Sequence, residues 1–273
     1  MAILITGSGG FIGSRLSILL KENDYDIVTF QGDITNRNKV LNFQTEQEIE
    51  TVIHLANVID KKNTEIFRKV NVEGTKNIVD FCKKNNTGRL IFLSSLKVLS
   101  RAGNPYNESK REAEKIIAAS EVPHIILRPS MVYGPGDKKN IGFLLKLAKK
   151  LPFMPGFRFR MQLLFIDDLA QIIMKSFDLP SNQVINIAGR AISYMDILKA
   201  LKGLGYKFSI INWPDFFKSV LKIVCRLPFS PMPAWQIDSL LADEIFEEYN
   251  WRKLFNMEET TLQEGLLKTI KNK

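Results

Sequence analysis

Ser95, Tyr106 and Lys110 have the types and the spacing to move a proton. Tyr106 and Lys110 stand at i and i+4, so a helix carries both on one face. A lysine ammonium near a phenol favours the phenolate, which draws the tyrosine pKa down toward a useful range. Ser95 follows Ser94 at the end of a buried-strand pattern, Arg89-Leu90-Ile91-Phe92-Leu93. In open parallel α/β sheets ligands bind at that edge. The Ser95 hydroxyl is therefore expected to hold a substrate oxygen next to Tyr106.

A second constellation opens the chain. Thr6-Gly7-Ser8-Gly9-Gly10-Phe11-Ile12-Gly13 follows the apolar run Ala2-Ile3-Leu4-Ile5 and precedes a helical pattern through Glu22. That strand–turn–helix setting is what a dinucleotide-binding loop requires. Gly7 is expected to take the tight turn, Gly10 to let the backbone approach a pyrophosphate, and Gly13 to let the helix pack close to the strand. Phe11 and Ile12 open the helix whose N–H groups would face the phosphates. The spacing is G-x-x-G-x-x-G, with Gly9 as an extra, rather than the commoner G-x-G-x-x-G. The stretch from Asp26 to Asp33 is short, and no acid ends the second strand to take a ribose hydroxyl. Gln31 is the nearest side chain and Arg15 the nearest cation, so NAD and NADP both stay open.

Alternating strand and helix patterns must position these groups, and they argue a parallel sheet. Strands are expected at 2–6, 26–30, 51–55, 89–94 and 123–128, with further ones near the sheet at 163–166 and 183–187. Helices are expected at 11–22, 38–48, 64–86 and 106–119, the last started by Asn104-Pro105. The dinucleotide domain then takes 1–133 and 163–188, and a substrate lobe takes 134–162 and 189–273.

Of 273 residues, 45% are hydrophobic, enough for a sizeable core. Two cysteines, Cys82 and Cys225, exclude a disulfide framework and suit a reducing, cytoplasmic setting. Residues 1–20 hold the glycine loop, so they are not expected to be a signal peptide, and no apolar run reaches transmembrane length. His54 and His124 lie in or beside apolar strands without a Cys/His cluster, so no metal is expected. The net charge of +9 and the lysine pairs at 61–62, 83–84, 138–139 and 149–150 fit solvated helix ends, and also attraction of an anionic dinucleotide and a sugar diphosphate. No nucleic-acid reader motif accompanies them. Residues 214–227 are amphipathic, with Phe217, Val220, Leu221 and Val224 on one face and Lys218, Lys222 and Arg226 recurring. They read as a lobe helix with a basic outer face, the alternative being weak contact with an anionic membrane surface. Residues 229–235 read as a flap over the substrate.

The motifs run almost end to end: TGSGGFIG at 6–13, GDIT at 32–35, HLAN at 54–57, NVEGTKN at 71–77, FLSSLKV at 92–98, YNESK at 106–110, RPSMVYGPG at 128–136, FIDDLA at 165–170 and TTLQEGL at 260–266. Together they resemble the extended short-chain dehydrogenase/reductases of the NAD-dependent epimerase/dehydratase family. The FLSSLKV and VYGPGDKKN phrases narrow the resemblance to bacterial surface-polysaccharide enzymes acting on UDP-N-acetylhexosamine derivatives. The resemblance implies an α/β fold, a Rossmann-like doubly wound parallel sheet with a smaller C-terminal substrate lobe. It implies catalytic Ser95, Tyr106 and Lys110, with Lys110 also on the cofactor ribose. Asp33 with Ile34 would meet the adenine side, and Leu55, Ala56, Asn57 and Asn71 the nicotinamide side. Ser94, Lys97, Met131, Arg158 and Arg160 would face the sugar nucleotide. Three places depart from the family pattern: Met131 replaces an asparagine, Met161 an arginine, and Pro233-Ala234-Trp235 lacks another arginine. The implied activity is NAD(P)-dependent reduction at C4 of a UDP-4-keto-6-deoxy-N-acetylhexosamine. The alternatives are a UDP-N-acetylhexosamine 4-epimerase with retained NAD and a non-catalytic dinucleotide-sensing scaffold. A homodimer through the helices at 64–86 and 106–119 is also implied.

Overall fold

The computed structural model describes residues 2–59, 63–101, 103–214, 217, 223, 238, 241–247 and 250–271. Most of 214–227 and all of 229–235, including Cys225, lie outside the described residues. The chain forms two compact units: Met1–Pro129, Leu169–Ile187 and Tyr249–Asn256 in one, Ser130–Asp168, Ala188–Glu248 and Met257–Lys273 in the other.

The first unit is built on a six-stranded parallel sheet. Its strands are β1 (Ala2–Thr6), β2 (Ile27–Phe30), β3 (Ile49–His54), β4 (Arg89–Leu93), β5 (His124–Pro129) and β9 (Gln183–Ile187), in the order β2-β1-β3-β4-β5-β9. All five residues of β1 are buried, as expected of a central strand covered on both faces. Helix α1 (Phe11–Glu22) follows β1, α2 (Arg37–Leu41) follows β2, and α5 (Pro105–Ala118) leads into β5. Between β3 and β4 the chain runs through α3 (Glu65–Phe67), a π-helical segment (Arg68–Glu73) and α4 (Gly74–Lys84). One core joins Leu4, Val52, Leu90 and Ile126 from the sheet to Ile78, Phe81, Ala113 and Ile117 from α4 and α5. The strand order reverses direction between β1 and β3. At such a switch point the loops leaving the strand ends part and leave a crevice.

Two expectations needed correction. The helix expected at 38–48 starts at Arg37, where Asn36 caps it with Oδ1 accepting from the Lys39 N–H at 3.0 Å, and ends at Leu41, where Phe43 packs against the core. Phe43 meets Phe30 edge-on at 5.3 Å and Phe81 at 6.4 Å, burial that a helix through 48 would forgo. The strand expected beside the main sheet at 163–166 is β8 (Arg160–Phe165), which joins a separate sheet in the second unit. Pro129 ends β5 without a backbone donor, and β6 (Met131–Tyr133) then pairs in parallel with β8 while β10 (Ala191–Ser193) pairs antiparallel on its other side.

The second unit also holds the pair β7 (Phe153–Gly156) and β11 (Ser209–Asn212), with α6 (Ile141–Lys150) and α8 (Tyr194–Gly203). Asp137 starts α6 by accepting from the Asn140 and Gly142 N–H groups, both at 3.0 Å. Gln162 exchanges hydrogen bonds with both backbone groups of Phe246 at 2.9 Å, and Asp168 accepts from the Thr260 N–H and hydroxyl at 2.8 and 2.6 Å. These bonds tie the later segments to the unit. Helix α7 (Ile166–Lys175) carries the chain back to the first unit.

Candidate active site

At the switch point two loops touch. Gly7 has φ +73°, and a Cβ there would lie 2.7 Å from the Ala56 nitrogen, so a side chain is excluded on both counts. A Cβ on Gly13 would lie 2.2 Å from the Gly7 carbonyl oxygen, which sets how closely α1 approaches the turn. Gly10 is looser, at 3.2 Å from the same oxygen, and Gly9 faces open space. Helix α1 starts on Gly10 with no side-chain cap and no acid in its first turn, so the N–H groups at Phe11, Ile12 and Gly13 are placed for an anion.

Beside this turn is a cavity of about 500 Å³, lined by residues 7–9, 30–34, Ala56, Asn57 and Val70. Asp33 is exposed on its rim. The Thr35 N–H donates to its Oδ1 at 2.9 Å and, with the weaker fields of Lys69 and Lys39, holds the carboxyl below its usual range. Ile34 is buried at the base, where the Asn77 amide donates to its carbonyl at 2.9 Å. Asn57 donates to the Leu55 carbonyl at 2.9 Å, yet its Oδ1 is buried with no hydrogen-bond partner among the described residues. A glycine turn without room for a Cβ, an uncapped helix start and an orphaned acceptor fit a dinucleotide.

The wall formed by residues 55–58 is held from beneath. Thr75 gives its hydroxyl proton to the Asn71 carbonyl at 2.6 Å, so towards His54 Nε2, at 3.0 Å, it accepts. His54 Nδ1 then accepts from the Thr6 hydroxyl at 2.7 Å, and Thr6 in turn accepts from the Ala56 N–H at 3.3 Å. The chain of donors fixes a neutral His54. Burial pushes its pKa down to about 3, helped by the charge of Lys110. Asn71 clamps the same wall, accepting from the Val58 N–H at 2.8 Å and donating to the Val58 carbonyl at 3.1 Å and the Ser109 hydroxyl at 3.0 Å. Its π-helical setting, a frequent mark of functional segments, aims this carboxamide at two neighbours at once.

The proton-transfer set lies at the ends of β4 and α5. Ser95 caps the 3₁₀ turn Leu96–Leu99, its Oγ accepting from the Lys97 N–H at 3.2 Å, and it hydrogen-bonds Tyr106. Tyr106 lies in the first turn of α5, which Asn104 caps by accepting from the Asn107 N–H at 2.9 Å. Lys110 is 2% exposed, its Nζ donating to the Leu93 carbonyl at 2.8 Å and resting 4.5 Å from the Phe92 ring centre. Burial lowers its pKa to about 7, against the pull of Glu114. Tyr106 runs opposite to the sequence expectation. Burial drives its hydroxyl up to about 12, only partly offset by the hydrogen bond with Ser95.

The candidate sugar-side residues divide. Ser94 and Lys97 flank Ser95, and the Ser94 hydroxyl is buried without a partner among the described residues. Met131, Arg158 and Arg160 belong to the second unit. Arg158 lines a cavity of about 490 Å³ with Gly156, Met195, Asn212, Trp213 and Pro214, whereas Arg160 pairs with Asp243 at 3.6 Å. Thr6, Thr75, Ser109 and Glu114 escaped sequence reasoning. Only Glu114, four residues after Lys110, left a spacing signal.

Residues 3–188 match the NAD dependent epimerase/dehydratase family. The chain is 32% identical over 245 residues to a UDP-glucose 4-epimerase of Vibrio cholerae, covering 73% of this chain and 74% of that one. Among solved structures it resembles a Thermotoga maritima UDP-glucose 4-epimerase with UDP-glucose, at TM-score 0.79 and 19% identity over 100% of this chain and 98% of the other. It also resembles the Bordetella bronchiseptica enzyme WbmG in complex with NAD and UDP, at TM-score 0.78 and 17% identity over 99% and 94%.

Proposed function

We propose that this chain, which belongs to the NAD dependent epimerase/dehydratase family, is an NAD(P)-dependent oxidoreductase that reduces C4 of a UDP-4-keto-6-deoxy-N-acetylhexosamine. NAD is the cofactor of the family. The relatives that handle UDP-glucose or UDP support a nucleotide-sugar substrate.

The reductive direction rests on a cavity rim that lets spent cofactor exchange, and the Tyr106 hydroxyl, which keeps its proton, can supply the acid such a step needs. When bound, the dinucleotide supplies hydride to the carbonyl carbon. Ser95 donates a hydrogen bond to the carbonyl oxygen. Tyr106 passes its proton to that oxygen as it becomes an alcohol, and takes one back from solvent. Lys110, as an ammonium, steadies the phenolate left behind and holds the cofactor ribose. The cavity rim supports exchange of spent cofactor. Asp33 is its carboxylate, and Gln31 stands where an acid would grip the adenine ribose. The missing charge-assisted bond is worth about 1.5–3 kcal/mol of retention.

The test is purification followed by nucleotide extraction and an absorbance assay. The protein should carry little bound dinucleotide and should oxidise NADH or NADPH stoichiometrically with a 4-keto UDP-sugar. Tightly held NAD together with interconversion of UDP-N-acetylhexosamine epimers, without added cofactor, would replace the reductase with an epimerase. Dinucleotide binding with no turnover of either substrate class would leave a sensing scaffold.

A further inference from the structure

We propose that Glu114, clamped by Arg128, is a positioning residue that sets the charge of Lys110 and thereby the alkaline limit of activity. The inference rests on the proton-transfer role given to Lys110 above. Glu114 follows Lys110 by one turn on the same face of α5, and the two are 8% and 2% exposed. A carboxylate and an ammonium one helical turn apart, with so little water, act on each other more strongly than at a surface. Arg128 on β5 grips the carboxylate with both arms, Nε to Oε1 at 2.9 Å and Nη2 to Oε2 at 2.5 Å. The fork removes the rotamer freedom that would let Glu114 swing away.

The other groups around Lys110 leave this pair in control. From β4 come the Leu93 carbonyl and the Phe92 ring. From β3 comes His54, stacked on Phe92 and held neutral by Thr6 and Thr75. From its own helix come Tyr106, which keeps its proton, and Arg111, which donates to the Val98 and Ser100 carbonyls at 2.6 and 2.5 Å. Glu114 favours the ammonium, and Arg128, a like charge that shares the same carboxylate, opposes it. Burial alone would discharge Lys110, and the Glu114 charge works against that.

The two members of the clamp therefore act with opposite signs, which packing alone would not do. Glu114→Gln removes the favourable charge, so Lys110 loses its proton at lower pH and the alkaline limb of kcat moves down, by about one pH unit. Arg128→Gln leaves Glu114 unopposed, so the limb moves up, and Glu114→Asp restores part of the wild-type profile. The profiles are measured with NAD(P)H and a 4-keto UDP-sugar. Independently, the Lys110 titration is followed by NMR of protein labelled with [13Cε]lysine, without cofactor or substrate, the signal being assigned with Lys110→Met. Opposite shifts in the two variants support the proposal, and shifts of the same sign or none overturn it. If one variant fails to fold, the sign of the other decides. Opposite NMR shifts in a protein that turns over no substrate would uphold the electrostatic clamp and refute the proposed function.

Discussion

Tyr106 gives the sharpest test at the scale of single residues. Tyr106→Phe keeps the ring and its edge-on contact with Phe67, at 6.3 Å, while deleting the proton. Turnover should fall about a hundredfold or more, and calorimetry should find dinucleotide affinity unchanged. His54 gives a second test, on stability. Its pKa is about 3 in the folded chain, against an ordinary value of 6.5. Above pH 6.5 neither state binds a proton at this site. As pH falls below 6.5 the unfolded chain takes one up and the folded chain does not, so stability is lost at about 1.4 kcal/mol per pH unit. In urea melts between pH 6.5 and 5, His54→Gln should be less stable than wild type at the upper end, and the gap should narrow by that slope on acidification. A constant gap would mean that His54 is not held neutral.

At the scale of elements, the glycine turn and the π-helical segment each carry a claim. Gly13→Ala forces a methyl group to within 2.2 Å of a backbone oxygen, and neither partner can give way cheaply. We expect a loss of about 1–3 kcal/mol in stability and a collapse of NAD(H) and NADP(H) binding. Gly9→Ala enters open space, so denaturation should register almost no change. Equal effects at the two positions would contradict this geometry. In the π-helical segment, Asn71→Ala would strip both backbone groups of Val58 of their partner and leave the 55–58 wall loose. The expected cost is about 2–3 kcal/mol, with a raised KM for the dinucleotide. That rise distinguishes a cofactor-wall defect from a general loss of stability.

The whole molecule carries a net charge of +9, and its cofactor and proposed substrate are polyanions. Long-range attraction between exposed charges is screened beyond about 10 Å at 0.1 M salt. Stopped-flow association of NADH should therefore slow as salt rises from 0.01 to 0.3 M, with a smaller change in dissociation. A salt-independent association rate would assign the lysine pairs to solvation alone. Among the described residues, no helix is long and apolar enough to cross a membrane.

Local chemistry determined much of this protein in advance. The glycine turn, the capped start of α5 and the i, i+4 pair of Tyr106 and Lys110 depend on residues near one another in sequence, so spacing exposed them. The parallel order of the main sheet was legible too, because buried strands alternating with helices admit few connections. Tertiary structure alone decided the rest. Phe43 shortened a helix for the sake of two distant rings. After Pro129, β6 pairs with β8 in a second sheet, a pairing between segments some thirty residues apart. The Thr6–His54–Thr75 chain joins residues from three elements, and no period in the sequence marks it. The directions of the Tyr106 and Lys110 shifts also came from packing. The charge of a buried group depends on how much water is excluded and where its partner points, and neither is written in the spacing of residues along the chain.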